Sequence, residues 1–549
     1  MNEDHENGVQ LRATASLPLH QRPSVQTLDD GDKNVTATTA AFALLCPSAP
    51  SPQICWFHLD GSGPVEMLFS MNRVLSRIFA PVLPIFAFLL SASAEAKRDV
   101  LFIFADDYAF DCVRGTGNKE VATPNIDKLV KRGTTFTHAY NMGAWGGAVC
   151  VASRTMLVTG KFVWKAHEDY AKTDELYREK GVLWPQLMKK GGYDTYFTGK
   201  WHIKADALKA FDVARHVRPG MPNQTKTGYD RPKDGEKDPW SPFDTKFEGF
   251  WKGGKHWSEV TADDAIDYLG MAKEKEAPFF MYVAFNAPHD PRQSPKKFVE
   301  KYPPGKVSLP VNFLPEYPYE ICGNRTLRDE RLAPFPRTEN AVKVNRGEYY
   351  AIITHLDAQI GRLLKALEKS GRADNTMIVF TADHGLAVGH HGLMGKQNMF
   401  DHSVRVPFVV VGPEVESGKR INAPIYLQDV MPTTLELAGV YPPDYVQFNS
   451  LLPMISGKSA RHAYDAIYGA YTQSQRMVSA NGKKLVLYPK IPKALLFDLK
   501  QDPLEMVDLS GTDEAGKVMP ELFARFLELQ KETGDTLDVA ARFPELLGN

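Results

Sequence analysis

The chain has few cysteines and almost no net charge. Its five cysteines are too few to build a disulfide framework in 549 residues. Its 65 Lys and Arg against 66 Asp and Glu give a formal net charge of −1, so no overall field would attract nucleic acid or a membrane surface. Any specificity for an anion must therefore come from a local cluster of basic groups. The length leads us to expect two domains, or one large α/β domain with an appendage.

The apolar segment from Ile78 to Leu90 is too short to span a membrane, because about 20 residues are needed and two prolines interrupt it. Two arginines precede this segment and Ala94-Glu95-Ala96 follows it, which is the order typical of a secretory signal peptide. We therefore predict a signal peptide over Met71–Ala96 and a secreted or periplasmic protein without a stable membrane anchor. A membrane anchor is the alternative interpretation.

Residues 1–70 precede the predicted signal peptide, although a signal peptide should begin a protein. They are polar, rich in Ser, Thr and Pro, and show no sustained periodicity. We interpret them as a non-native or disordered extension, with Met67 or Met71 as the true start. The mature chain would then keep three cysteines, Cys112, Cys150 and Cys322. The sequence leaves open whether Cys112 and Cys322 form a disulfide.

Short apolar strands alternate with amphipathic helices from Lys97 onward. "DVLFIFADD", "PFFMYVAFNAPHDP" and "NTMIVFTADHG" are apolar runs that end in polar residues, and "TPNIDKLVKRG" and Gly347 to Ser370 have helical periodicity. This alternation predicts a large, mostly parallel mixed sheet between layers of helices. We assign residues 97–440 to this larger α/β domain. Two irregular stretches interrupt it, about 205–258 and 303–346.

The chain after residue 440 has a different pattern. "RMVSANGKKLVLYP" predicts a hairpin with its turn at Asn481-Gly482, and a terminal helix is expected from about Pro520. We therefore predict a smaller C-terminal α/β subdomain over residues 441–549, with a short antiparallel sheet.

A fourth strand is predicted to end at Gly199 in "GGYDTYFTGKWH". Titratable residues follow all four of these strands: Asp106, Asp107, Lys200, His202, His289, Asp383 and His384. In open α/β sheets, ligands bind beyond the carboxyl ends of the strands. Each of these residues, taken alone, could equally be a helix cap or an ordinary loop residue. Together, three carboxylates and an imidazole form an oxygen-rich shell that suits calcium, for which the imidazole is the less usual ligand.

Six segments in this order resemble the type I, formylglycine-dependent sulfatases of the alkaline-phosphatase superfamily, over nearly the whole mature chain. They are "CVASR", "GYDTYFTGKWH", "NAPHDP", "TADHG", "GLMGKQNMFDHSVRVPF" and "LLFDLKQDPLEMVDL". The first is the family's C-x-P/A-S-R signature in its Ala form, Cys150 to Arg154. The resemblance implies the sulfatase fold and a sulfuric ester hydrolase.

The resemblance also implies that a maturation enzyme oxidises Cys150 to formylglycine (3-oxoalanine). The hydrated aldehyde would attack sulfur, and its second hydroxyl would let the sulfated enzyme intermediate collapse by elimination. Asp106, Asp107, Asp383 and His384 would bind Ca²⁺, although many members have Asn in place of His384.

The remaining catalytic roles follow from the same resemblance. Arg154 would orient the formylglycine hydrate, and Lys200 and Lys396 would neutralise the sulfate oxygens. His202 would take a proton during the elimination, and His289 would protonate the leaving alcohol.

The expected substrate is a sulfated carbohydrate or polysaccharide. Three tryptophans and a histidine in the first irregular stretch are candidates for sugar stacking and anion binding, Trp240, Trp251, Trp257 and His256; the alternative is that the tryptophans only anchor the loop. His390 and His391 are further candidates on the leaving-group side. The sequence leaves two other functions open, a phosphonate monoester or phosphodiester hydrolase and an inactive glycan-binding homologue.

Overall fold

The computed structural model describes residues 97–220, 226–247, 249–250, 254–290, 292–320, 325–457 and 464–548. These residues belong to one unit of the chain, Ala94–Asn549. The predicted extension, the predicted signal peptide, Trp251 and Cys322 lie outside the described residues. In the part of the chain that is described, no helix combines the length and apolar character that crossing a membrane requires.

The strands, numbered in chain order, are β1 (Asp99–Asp106), β2 (Thr134–Tyr140), β3 (Gly143–Ala144), β4 (Asp194–Lys200), β5 (Val213–Arg218), β6 (Phe279–Pro288), β7 (Thr376–Ala382), β8 (Arg405–Val406), β9 (Phe408–Val411), β10 (Arg420–Tyr426), β11 (Ala466–Tyr471), β12 (Gln475–Ala480), β13 (Lys483–Tyr488) and β14 (Lys493–Asp498).

The α-helices are α1 (Pro124–Arg132), α2 (Val149–Thr159), α3 (Val163–Asp169), α4 (Trp184–Lys190), α5 (Ala207–Ala210), α6 (Trp257–Lys273), α7 (Lys296–Val299), α8 (Glu339–Ser370), α9 (Asp401–Val404), α10 (Val430–Leu437), α11 (Leu452–Ile455) and α12 (Ala515–Thr533).

The larger sheet is mixed and mostly parallel, as predicted. Its strands follow the order β10-β2-β9-β7-β1-β6-β4-β5, and β8 pairs with β2. Neighbours β7, β1, β6, β4 and β5 are parallel to one another, whereas β9 is antiparallel to both β7 and β2. Crossover helices between parallel strands explain the alternating pattern of the sequence.

Helices cover both faces of this sheet. Trp184 of α4 packs against Tyr282 of β6, with ring centroids 5.8 Å apart. Tyr196 of β4 pairs in register with Met281, the neighbour of Tyr282, so its side chain lies on the opposite face. There Tyr196 packs against Tyr268 of α6 at 5.3 Å. A sheet buried on both faces needs apolar side chains at consecutive positions, which is why β1 and β6 are continuous apolar runs.

The second sheet contains the predicted hairpin. It has the order β14-β13-β12-β11-β3, with β11 to β14 antiparallel and β3 parallel to β11. Asn481 and Gly482 join β12 to β13 with φ values of 54° and 82°, the left-handed geometry that a two-residue hairpin turn requires. The domain boundary that we place at residue 440 stays a prediction.

Two predicted helices begin earlier than the periodicity indicated. Helix α8 begins at Glu339 rather than Gly347, because the side chain of Thr338 caps its first turn by accepting a hydrogen bond from the N–H of Ala341. Helix α12 begins at Ala515 and contains Pro520 within it. Our expectation of a start near Pro520 was therefore wrong by about one turn.

Candidate functional site

The carboxyl ends of β1, β6 and β7 lie side by side. Ala105 of β1 pairs with Ala382 of β7, and Asp106 pairs with Pro288 of β6. The next residue, Asp107, has a φ of 65°, and its N–H donates to Oδ1 of Asp383 at 3.1 Å. This left-handed residue turns the chain abruptly where β1 ends, so that both aspartates face the same site.

Helix α2 brings Cys150 to these strand ends. Cys150 lies in the first turn of a helix in which every residue is buried. Its sulfur is 3.3 Å from Nε2 of His384, 3.5 Å from Nζ of Lys396 and 4.0 Å from Oδ1 of Asp107. The structure therefore brings the predicted nucleophile together with residues from two different strand ends.

Arg154, one helical turn after Cys150, connects three parts of the site. Its Nε donates to Oδ2 of Asp383 at 3.0 Å, and its Nη1 donates to the carbonyl oxygen of Lys200 at 2.6 Å. Its Nη2 lies 3.8 Å from Oδ1 of Asp106. The guanidinium is fully buried, so these carboxylates also compensate its charge.

The buried carboxylates, imidazole and thiol of this cluster could hold a metal ion. One ligand atom from each of Asp106, Cys150, Asp383 and His384 lies within 4.8 Å of the others. Oδ1 of Asp106 is buried and accepts no hydrogen bond from the described residues. Burial and the charge of Asp383 hold the pKa of Asp106 well above its ordinary value. A bound divalent cation would remove this repulsion and use the free oxygen.

Two lysines place positive charge beside the carboxylates. Nζ of Lys200 donates to Oδ2 of Asp106 at 2.5 Å, and Nζ of Lys396 donates to both carboxylate oxygens of Asp107 at 2.9 and 2.8 Å. Burial alone would raise the pKa of the Cys150 thiol, but the charges of these lysines and of His384 outweigh it, and the pKa lies well below its ordinary value. The site is therefore built to stabilise an anion next to position 150.

The two candidate proton-transfer groups, His289 and His202, differ in protonation state. Burial alone would lower the pKa of His289, but Asp107 and Asp290 raise it to about 10, so His289 carries a proton at neutral pH. Burial lowers the pKa of His202, and a hydrogen bond links its side chain to Cys150. A protonated and a neutral imidazole in one site are suited to an acid and a base, respectively.

Three of the four residues that we predict in the first irregular stretch as substrate contacts are described by the structure, and all three make contacts within the protein. Trp240 is buried and stacks on Phe247 with centroids 4.5 Å apart, and the guanidinium of Arg218 lies 3.6 Å above the Trp257 ring. His256 is buried, and its Nδ1 accepts the N–H of Ser258 to cap α6. These contacts suit the alternative, that the rings anchor the loop. Their role in substrate binding stays a prediction.

His390 and His391 are buried beside the C-terminal segment. Nδ1 of His390 contacts Oδ1 of Asn312 at 2.8 Å, and Nε2 of His391 contacts the carbonyl oxygen of Glu505 at 3.0 Å. Burial lowers the pKa of His390 to about 3 and of His391 to about 4. Both rings are therefore neutral, and their assignment to the leaving-group side stays a prediction.

Three charged residues near His289 are absent from the sequence-based prediction. Nδ1 of His289 is 2.9 Å from Oδ1 of Asp290, and Nε2 is 3.4 Å from Nη2 of Arg328. Asp329 lies 3.7 Å from Nζ of Lys396. Arg328 and Asp329 come from the irregular 303–346 stretch, where the run "LRDERL" was the one available signal. Such a charged run is more often solvated surface, so it did not predict a site.

The family model described as Sulfatase matches residues 98–440, and the one described as "N-sulphoglucosamine sulphohydrolase, C-terminal" matches residues 389–532. Among characterised proteins, the chain is 25% identical to an N-acetylglucosamine-6-O-sulfatase of Bacteroides thetaiotaomicron over 83% of this chain and 91% of the relative. The first family model covers more than half of the chain, and it contains all the predicted catalytic and metal-binding residues.

Solved structures share the fold. A protein in complex with its substrate D-glucosamine-2-N,6-O-disulfate has a TM-score of 0.62 and 23% identity, covering 80% of this chain and 99% of the other. A phosphonate monoester hydrolase of Agrobacterium radiobacter has a TM-score of 0.60 and 21% identity, covering 80% and 96%. At these identities the likeness establishes the mixed α/β architecture alone.

Proposed function

The chain belongs to the sulfatase family and is a sulfuric ester hydrolase, and from this premise we propose that it is a calcium-dependent enzyme that removes sulfate from a sulfated saccharide, using a formylglycine made from Cys150. The observation that carries the proposal is the position of Cys150, whose sulfur lies within 3.5 Å of both an imidazole and an ammonium group beside the buried carboxylates.

Four residues would hold the cation, Asp106, Asp107 and Asp383 through carboxylate oxygens and His384 through Nε2. When bound, calcium would polarise the sulfate group and lower the pKa of the attacking oxygen. Arg154 keeps Asp383 oriented through its 3.0 Å hydrogen bond. The same arginine keeps the end of β4 in place through the carbonyl oxygen of Lys200.

The formylglycine hydrate would supply one hydroxyl as the nucleophile and a second hydroxyl for release of the sulfate. Lys200 and Lys396 would bind the sulfate oxygens, because their ammonium groups lie beside the carboxylates that would hold the cation. The two ammonium groups are already held in position before the substrate binds, so little reorganisation is needed when negative charge develops on the substrate.

Proton transfer would use the two histidines in opposite directions. His289 holds a proton, and one of its ring nitrogens lies within 4.8 Å of the sulfur of Cys150, so it can protonate the oxygen of the leaving alcohol. His202 is neutral and lies within hydrogen-bonding reach of Cys150, so it can accept the proton of the second hydroxyl.

The names of the relative and of the structural neighbour described above both refer to sulfated glucosamine compounds. This supports a saccharide substrate. The predicted signal peptide would bring the enzyme to the periplasm or the medium, where such polymers are encountered. A formylglycine-generating enzyme would be the required maturation partner.

The deciding experiment compares matched esters with enzyme produced alongside a formylglycine-generating enzyme. We expect hydrolysis of 4-nitrophenyl sulfate and of sulfated monosaccharides, and much slower hydrolysis of 4-nitrophenyl phenylphosphonate and of bis(4-nitrophenyl) phosphate. A preference for either phosphorus ester would contradict the proposed activity and favour a phosphonate monoester or phosphodiester hydrolase. Saccharide binding without turnover would favour an inactive homologue.

A further inference from the structure

We propose that Arg328 is a specificity-determining residue, which binds a second anionic group of the substrate next to the sulfate ester that is cleaved. The inference rests on the proposed function and narrows its substrate class. The preferred substrate would be a saccharide whose leaving-group part carries a carboxylate or another sulfate.

The position of Arg328 connects it to the leaving group. Its Nη2 lies 3.4 Å from Nε2 of His289, the atom that would protonate the leaving oxygen. A leaving group within hydrogen-bonding distance of His289 therefore also lies beside the guanidinium. A second anionic group on the same sugar would then lie close enough to reach its donors.

Buried carboxylates hold the guanidinium in place. Its Nε donates to Oδ1 of Asp329 at 2.6 Å, and its Nη2 lies 3.6 Å from Oδ1 of Asp290. Asp329 also accepts a hydrogen bond from Nε2 of Gln397 at 2.8 Å. Because this side of the guanidinium is already fixed, binding an anion costs little additional side-chain entropy.

Of Arg328, Asp290 and Asp329, the arginine is the residue exposed to solvent. The side chain of Arg328 is 43% exposed, whereas those of Asp290 and Asp329 are 4% and 2% exposed. Among the described residues, no acceptor contacts Nη1 of Arg328. The two carboxylates therefore lie behind the arginine, and the outer edge of the guanidinium is open to a ligand from solvent.

The outward-facing Nη1 of the charged guanidinium can donate to an oxygen of a carboxylate or sulfate group. An arginine that served only to hold His289 in place would not need outward-facing donors. Lys396 and His289 are both almost fully buried. Arg328 is therefore the charged side chain of this group that a second anion can reach.

The test uses two monosaccharide pairs with the same scissile ester and different net charge. One pair is N-acetylglucosamine 6-O-sulfate and N-sulfoglucosamine 6-O-sulfate, and the other is N-acetylgalactosamine 4-O-sulfate and its 4,6-di-O-sulfate. kcat/KM is measured for the wild-type enzyme, Arg328→Gln, Arg328→Lys and the control Arg331→Gln. Arg331 lies in the same segment, and its side chain pairs with the exposed Asp230.

We expect the wild-type enzyme to prefer the doubly charged member of at least one pair. Arg328→Gln should reduce that preference by about 10- to 100-fold, the effect of a charged hydrogen-bonding pair. Arg328→Lys should retain part of it, and Arg331→Gln all of it. Circular dichroism and thermal unfolding establish that each variant is folded.

Two results would overturn the inference: no preference for the doubly charged member in the wild-type enzyme, or an equal loss on both members in Arg328→Gln. Hydrolysis of 4-nitrophenyl sulfate by the same preparations separates these results from a failure of the proposed function. If the wild-type enzyme cleaves no sulfate ester at all, the proposed function fails and the inference fails with it.

Discussion

Nε2 of His384 lies 3.3 Å from the sulfur of Cys150, and Nδ1 of the same ring is 2.9 Å from the carbonyl oxygen of Gly385. A carbonyl can only accept a hydrogen bond, so Nδ1 carries the hydrogen and Nε2 is the atom that faces position 150. The backbone of Gly385 therefore orients His384 for ligation through Nε2. One hydrogen bond outside the cluster thus positions the candidate metal ligand next to residue 150.

Replacement of Cys150 by alanine should abolish hydrolysis of 4-nitrophenyl sulfate, with a loss of at least about a thousandfold in kcat. The peptide containing residue 150 of the active enzyme should show, by mass spectrometry, that CHO has replaced CH2SH. The thermal midpoint of the alanine variant should stay close to that of the wild type. Substantial turnover by this variant would reject Cys150 as the nucleophile precursor.

Removal of the metal by EDTA should abolish activity and lower the thermal midpoint, because burial and the charge of Asp383 disfavour the ionised Asp106 carboxylate when no divalent cation is bound. Calcium should restore both properties. Asp383→Asn should weaken the calcium dependence of the thermal midpoint, which differential scanning fluorimetry measures without any need for activity. Full activity in the presence of EDTA would contradict a catalytic metal.

Asp290→Asn should slow saccharide sulfates more than aryl sulfates. Nδ1 of His289 bonds to the backbone carbonyl oxygen of Asp290 at 2.8 Å, which the substitution keeps. The carboxylate, whose Oδ1 lies 2.9 Å from Nδ1, helps to raise the pKa of His289, so Asp290 keeps the acid protonated. An alkoxide leaving group needs that proton, whereas 4-nitrophenolate leaves without it. We expect kcat to fall by about 10- to 100-fold for a saccharide sulfate and by much less for 4-nitrophenyl sulfate.

The control for this prediction is Tyr229→Phe, which removes the hydroxyl group that donates to Oδ2 of Asp290 at 3.0 Å. It leaves the contact between Asp290 and His289 in place, so its effect should be small on both substrates. Equal losses of kcat on the two substrates in Asp290→Asn would show that Asp290 stabilises the fold rather than supporting His289 as the acid.

Asp357→Ala should destabilise the fold by about 2–3 kcal/mol. Asp357 of α8 accepts hydrogen bonds from the N–H groups of Asn125 and Ile126 at 2.9 and 2.8 Å, and so caps α1 from another helix. Thr123, at the usual capping position, makes no side-chain capping bond. Asp357→Asn, which keeps one acceptor oxygen, should cost less, and thermal unfolding measures the difference.

Glu368→Gln is the matched control for this capping contact. Glu368 of α8 faces Arg132 of α1 at 3.9 Å, with side chains 61% and 50% exposed. An exposed pair at that distance contributes about 0.5 kcal/mol or less, so this variant should unfold close to the wild-type temperature. A loss as large as that of Asp357→Ala would contradict the capping explanation.

Much of the fold, and the position of the candidate site at the strand ends, could be predicted because both depend on local patterns. Buried strands and amphipathic helices leave apolar periodicities in the sequence, and parallel strands place their carboxyl ends at one edge of the sheet. The order of strands and helices along the chain is therefore enough to place the aspartates at the ends of β1 and β7 at the same edge of the sheet, whereas the structure shows that these two strands are neighbours. The turn at Asn481-Gly482 was predictable for a similar reason, since few residues adopt its left-handed geometry.

The tertiary structure alone decided which residues surround that centre. Arg328 is 39 residues from His289 in the chain, and no periodicity connects a charged run in an irregular loop to a histidine after a strand. His256, which we predicted as a substrate contact, caps α6 and is buried. Side-chain contacts between distant segments depend on how loops pack over the sheet, and a sequence pattern carries little information about that packing.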